Sequence, residues 1–367
     1  MEDSLIIRIF GQPINTPMKQ LYRFLLTTLI CLCPTLSAYA QNSRRVVYVP
    51  KPGTLSEMIS PEEAGEISRL IVQGHINAVD FRYLRDEFKK LRVLDLSKAD
   101  ISRYAGKKGT QAGRFYLYPA NNIPAYAFCA QEEDTTNSGN YELRHIILPK
   151  HTKKIEEYAF KACKNLNICH IRRQTPPDLM PEALADSLTA IFVPTGCSNA
   201  YQSNAQWKHF AIIEGEPVSV TVTLKHTESL AEKLQRKAIQ PANINFLTIK
   251  GKLDEADFAL IRNYMPNLVS VNLAESHASA IPEYTFTQKK YMLKIALPKG
   301  LKSIGQRAFS GCTRLAGTLV LPPEVTTIEY GAFMGCQSLH RVLATGNGIT
   351  TLGDKLFGDE ANKLVYK

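Results

Sequence analysis

The sequence predicts an α/β repeat fold: a solenoid of two tandem capped units, with short parallel strands stacked turn upon turn. Two observations carry this reading. The stretch Leu297–Leu339 states one phrase twice at an offset of 24 residues. Leu297-Pro298 returns as Leu321-Pro322, Ile304 as Ile328, Ala308-Phe309 as Ala332-Phe333 and Gly311-Cys312 as Gly335-Cys336. Second, Glu66–Leu96 and Asn243–Leu273 match at a constant offset of 177 residues, pairing Gly74 with Gly251, Asp80-Phe81 with Asp257-Phe258 and Arg85 with Arg262. A unit of about two dozen residues cannot bury its own apolar face. Neighbouring turns must cover it, so inward positions recur at a fixed period and the ends need caps.

Residues 1–40 are read as a leader and secretory signal peptide. Lys19 and Arg23 precede the apolar run Phe24–Cys33, and Ala38-Tyr39-Ala40 has the form of a cleavage site. Met18 is a plausible start. The run falls short of the roughly 20 apolar residues that a membrane-spanning helix needs, so no transmembrane segment is expected in the mature chain. The expected location is extracellular, at the cell surface or periplasmic.

The first unit spans 41–216 and the second 217–367. Each opens with the 177-offset block, which reads as a strand, a Gly turn, a helix started by Asn77 or Asp254, and a second strand. A further helical stretch precedes each block, near Ser60–Ala64 and Ser229–Ala238. The repeat phrase follows, at Ile123–Phe128 and Ile155–Phe160 in the first unit and from Ile281 onward in the second. Two loops interrupt only the first unit: the aromatic Tyr104–Asn122 and the polar Gln131–Asn140. The offset between halves accordingly falls from 177 to 158 at Ile123/Ile281. Leu188–Glu216 closes the first unit, and its Trp207 is expected to plug the open end of the solenoid rather than to serve as a sugar platform.

With 44% hydrophobic and 21% charged residues, the 367-residue chain reads as folded. The formal charge is +10. Lysines cluster at 150–164 and, as Lys289, Lys290, Lys294, Lys299 and Lys302, in the second unit. These clusters suit either solubility or an acidic glycan or protein partner, while export argues against nucleic acid. Cys163, Cys312 and Cys336 each follow an Ala-Phe by the same interval, so they fill one recurring slot as small apolar side chains. That spacing speaks against a disulfide framework, with Cys312 and Cys336 the one pair worth testing for a bridge.

The phrase L-P-x₅₋₆-I-x₃-A-F-x₂-C-x₂-L closely resembles the BspA-type leucine-rich repeats of secreted and surface proteins of Bacteroidetes. Ile304, Ala308, Phe309, Cys312 and Leu315 stand at its positions, as do Ile328, Ala332, Phe333, Cys336 and Leu339, and Ile155, Ala159, Phe160, Cys163 and Leu166. The closing segment VPTGCSNAYQSNAQWKHFAII is similar to the ending of such domains. The resemblance implies a leucine-rich-repeat solenoid and a surface or extracellular binding role, often toward proteins. Fold alone does not transfer function.

Strand alternation points Ile146 and Leu148 inward and His145 and Ile147 outward. The equivalent outward positions are Ile168 and His170, Lys294 and Ala296, Thr318 and Val320, and Arg341 and Leu343. His145, His170, Lys294 and Arg341 are therefore the candidate partner-binding residues of this face. Tyr104, Phe115, Tyr116 and Tyr118 are the candidates for an alternative, glycan-binding reading. No catalytic chemistry emerges. Asp254-Glu255-Ala256-Asp257 spells a helicase box, but the chain has no phosphate-binding loop, and acidic residues at a helix start serve as caps. Cys163, Cys169 and His170 match no zinc spacing. No cofactor or metal is expected, and the chain reads as a non-catalytic binding protein.

Overall fold

The computed structural model describes residues 43–111, 113–129, 142–185, 188, 190–225, 227–346, 348–360 and 362–367. The proposed signal peptide and the polar loop 131–140 lie outside the described residues.

The first unit is built on a seven-stranded parallel sheet. Its strands follow chain order: Arg44–Val49, Arg69–Ile76, Val93–Ile101, His145–Ile147, Ile168–His170, Ala190–Val193 and Ala211–Glu214. On the opposite side, two-residue strands at Asn122–Ile123, Lys154–Ile155 and Asp178–Leu179 form a second parallel ladder. The second unit repeats the plan. Val218–Leu224, Ile244–Gly251, Ser270–Ser276 and Lys294–Ala296 form one sheet, and Gly317–Leu321, Leu339–Ala344 and Leu364–Tyr366 form the next. Its opposite side carries Ala280–Ile281, Ser303–Ile304, Thr327–Ile328 and Thr351–Leu352.

The cap helices begin where the sequence signals them. Asn77 and Asp254 are the N-caps of Ala78–Glu87 and Glu255–Tyr264, and each closes a capping box with the acidic residue three positions on. Those residues, Asp80 and Asp257, have a second task. Asp80 also accepts from the backbone N–H groups of Gly53 (2.6 Å) and Leu55 (2.9 Å), and Asp257 from that of Leu230 (2.7 Å). Each buried carboxylate thus ties the preceding helical segment to the cap helix. Gly74 and Gly251 are matched for a steric reason. Both have φ near +88°, and a Cβ there would stand 2.3 Å from Val49 O or 2.0 Å from Leu224 O.

The Ala-Phe phrase builds the core. Phe286, Phe309, Phe333 and Phe357 stack face to face at centroid distances of 5.2, 5.5 and 5.7 Å, and Phe128 stacks on Phe160 at 5.2 Å. The residue two before each phenylalanine adopts the left-handed region: Tyr126, Tyr158, Tyr284, Arg307, Gly331 and Lys355 all have φ between 48° and 60°. Cys312 donates to Phe286 O (3.0 Å) and Cys336 to Phe309 O (3.1 Å), each one turn back. Both are free, buried thiols, and burial pushes their pKa values up. Trp207 is fully buried, with its ring N–H on Pro177 O at 2.8 Å; it fills the end of the first unit and presents no platform.

The apolar interiors divide at the linker, residues 47–212 forming one cluster and 220–357 another. A third cluster bridges them. Ala190, Phe192 and Ile213, on the outer face of the first sheet, are buried with Val269, and Phe246, Tyr291 and Leu293 pack beside them. Arg314 donates to His209 O (2.9 Å) and Phe210 O (3.0 Å) across the same junction.

Candidate binding face

The outer face of the first sheet differs from the expectation. His145 and His170 do point away from the solenoid interior, but His170 is only 3% exposed and His145 is half-buried. The reason is non-local. The Nδ1 of His170 lies 3.3 Å from a carboxylate oxygen of Glu216, in the linker between units, although it is not aligned for a hydrogen bond. Its ring also meets Phe192 edge-on, itself sealed by Phe246 at 6.2 Å. Nε2 of His145 is buried without a hydrogen-bond partner. Burial, with help from His170 and Arg69 and against Asp95, holds the His145 pKa at about 4. Burial also lowers that of His170, against the pull of Glu216. His170 is thus part of a packed junction and offers no solvent-facing contact, while His145 beside it is only partly open, with its Nε2 buried.

Lys294 and Arg341 fare differently. Both are exposed, and Thr318 and Val320 between them are exposed too, Val320 at 52%. Register places Thr318 beside Arg341 and Val320 beside Leu343 and then Val365, which is 43% exposed. The inward partners Leu319, Val342 and Ile295 are buried, so the alternation read from sequence holds here. This is an open strip of mixed apolar and basic side chains.

The lysine cluster needs one correction. Lys289 is buried at 3% exposure and does not face a partner. It stands three residues after Phe286, the slot that Cys312 and Cys336 occupy after Phe309 and Phe333. From there Nζ donates to Arg262 O (2.7 Å) at the end of the cap helix, where a cation is favoured. Burial lowers its pKa to about 8.

The aromatic loop folds into an antiparallel hairpin, Tyr104–Gly106 with Tyr116–Tyr118. Of its four candidate residues only Phe115 is open, at 63% exposure, while Tyr118 is 7% exposed. Tyr104 and Tyr116 are half-buried. The tyrosine hydroxyls hold the loop: that of Tyr104 accepts from the N–H of Lys108 (3.2 Å) and that of Tyr118 from the N–H of Gln111 (3.0 Å). Sequence reading missed Leu117, the most exposed large apolar side chain here at 76%. Alternation between Tyr116 and Tyr118 would have pointed to it.

Among the described residues, no group of three or more His, Cys, Asp or Glu side chains is placed to hold a metal ion. No helix among them is long and apolar enough to cross a membrane.

Parallel strands on one side, short ladders on the other and a stacked core between them define a leucine-rich-repeat solenoid. The family profile described as BspA type Leucine rich repeat region (6 copies) matches residues 121–203 and 234–364, more than half of the chain. The chain belongs to the BspA-type leucine-rich-repeat family. No curated protein matches it. A leucine-rich repeat protein from Bacteroides ovatus ATCC 8483 is similar at 13% identity and a TM-score of 0.27, with 83% of this chain and 78% of that one covered. A leucine rich cell surface protein from Faecalibacterium prausnitzii A2-165 is similar at 10% identity and a TM-score of 0.20, covering 89% and 88%. A structure of the TLR13–ssRNA13 complex is similar at 16% identity and a TM-score of 0.26, covering 77% of this chain and 43% of that one. The family assignment rests on the repeats, not on these overlays.

Proposed function

We propose that this is an exported, non-catalytic adhesion or scaffold protein that binds a protein partner through the outer face of its second unit. The observation that carries the reading is the strip Lys294, Thr318, Val320, Arg341, Leu343 and Val365. Across three paired strands it sets exposed Val320 and Val365 on either side of half-buried Leu343, with exposed Arg341 and Thr318 beside that row and exposed Lys294 on the preceding sheet. Single exposed apolar residues are ordinary, but a row of them rimmed by charge is the pattern of an interaction surface. The cations favour a partner surface carrying carboxylates. Export rests on the signal peptide read at 18–40, and the two units are taken as 41–216 and 217–367.

The test is capture of surface proteins from bacterial or host cells by the mature chain, followed by Val320→Glu and Arg341→Glu. Each change should weaken capture of the same partner by about tenfold or more while leaving thermal unfolding unaltered. Undiminished capture by both variants would remove this face from consideration.

A further inference from the structure

The aromatic hairpin is an insertion of 19 residues relative to the second unit, the difference between the 177 and 158 offsets. Stacking of the solenoid does not require it, since the second unit stacks without one. Yet it is held with care. The buried Arg85 guanidinium donates from one nitrogen to Thr110 O (2.9 Å) and Tyr126 O (3.0 Å). Thr110 Oγ1 donates to Ala125 O at 2.6 Å. A loop tied at Thr110 to a rigid scaffold, presenting Phe115 and Leu117 to solvent, is a device for contact.

Beneath the hairpin lies a cavity of about 240 Å³, bounded by the hairpin, the start of the cap helix and the short ladder. Leu117, Tyr118 and Pro124 supply apolar wall, and Gln111, Asn122 and Glu156 supply polar groups. The Asn122 amide donates to Glu156 Oε1 at 2.7 Å, so these two are set relative to each other before any ligand arrives. The volume is below the roughly 300–1,000 Å³ of sites for drug-sized ligands, which limits the occupant to about one ring.

We infer that this pocket binds a single neutral sugar ring, a hexose or N-acetylhexosamine exposed on a glycan. A pyranose has an apolar C–H face to lie against Leu117 and Tyr118 and vicinal hydroxyls to bridge a carboxylate and an amide. The Glu156 carboxylate disfavours a uronic or other acidic sugar by like-charge repulsion, so the acidic glycan that the lysine clusters suggest is not the ligand of this pocket. The site is separate from the strip on the second unit, so variants in one should leave the other intact and the two readings fail independently.

The experiment is ligand-observed NMR on the full mature chain. Probes are the methyl glycosides of neutral hexoses and N-acetylhexosamines, with a methyl uronate and a free amino acid as opposing arms. At least one neutral glycoside should bind. Leu117→Ser, at a position open to solvent and neutral for folding, and Glu156→Ala should each weaken that binding by about tenfold. Asp359→Ala, on the far part of the second unit, should leave it unchanged. The unfolding curve of Leu117→Ser checks that the fold persists even if Glu156→Ala is destabilised. Binding of none of the glycosides, of the uronate or amino acid alone, or binding that Leu117→Ser does not reduce, each overturns the inference.

Discussion

Acidification should loosen this protein through His145, well above the pH at which most carboxylates titrate. The neutral imidazole is favoured by the fold, because burial and the neighbouring His170 and Arg69 oppose its charging. Its pKa is about 4 when folded against an ordinary 6.5. Above 6.5 both folded and unfolded chains hold the neutral ring, and stability is complete. Below 6.5 the unfolded chain takes up a proton that the folded chain refuses, so stability falls until the pH reaches about 4. At about 1.36 kcal/mol per pH unit, the whole interval is worth about 3 kcal/mol, of which about 2 kcal/mol is gone by pH 5. Urea unfolding at pH 7.5 and pH 5.0 measures this directly. His145→Leu should remove about 2 kcal/mol of the difference between the two pH values, and it also deletes a buried, unpartnered ring nitrogen. A slope shared by wild type and variant would refute the assignment, because the loss would then lie with carboxylates or with His170.

Lys289 should give the same sign at alkaline pH: with its folded pKa at about 8 against 10.5, stability should rise by about 2 kcal/mol from pH 7.5 to 9.5, and Lys289→Met should flatten that rise. Phe309→Ala should cost about 3–5 kcal/mol in chemical unfolding, since Phe309 is stacked on both sides by Phe286 and Phe333. Lys355, exposed and at φ 48°, should be improved by Lys355→Gly. Relief of about 1–2 kcal/mol of left-handed strain outweighs about 0.5–1 kcal/mol of added chain entropy, and a lowered melting temperature would contradict this account.

What the sequence revealed follows the range of the forces involved. Capping is local, so Asn77 and Asp254 could be read as helix starts from their own neighbourhoods. The repeat phrase is periodic, so Cys312 and Cys336 could be placed in one buried slot without knowing what they touch. The same register reaches Lys289, which sits three residues after Phe286, but its charge alone groups it with the surface lysines. His170 was beyond such reading. Its cover comes from Glu216, 46 positions along the chain, and from Phe192 with Phe246 behind it in the other unit. Strand alternation tells which side of a sheet a residue faces, but not whether another part of the chain occupies that side. The hairpin was legible as an aromatic interruption, while the distinction between tyrosines spent on holding it and the exposed Phe115 and Leu117 required the fold.

The junction also bears on where a partner can bind. In the first unit the outer sheet face near Ile168, Ala190, Phe192 and Ile213 is consumed by contact with the second. Fully burying a side chain such as Phe192 or Ile213 contributes about 1.5–3 kcal/mol, so displacing the second unit to free that face would cost a ligand several such terms. A partner gains more from the surfaces already open, the Lys294–Val365 strip of the second unit and the hairpin of the first. Severing the chain at the linker would test this. A fragment of residues 217–367 would keep its own apolar cluster yet expose Phe246, Val269 and Leu293, so it should fold with a cooperative transition but self-associate. Phe246→Ser in that fragment should restore a monomer by sedimentation. A monomeric fragment with Phe246 intact would show that the junction contributes little, and the outer face of the first unit would then return as a binding surface.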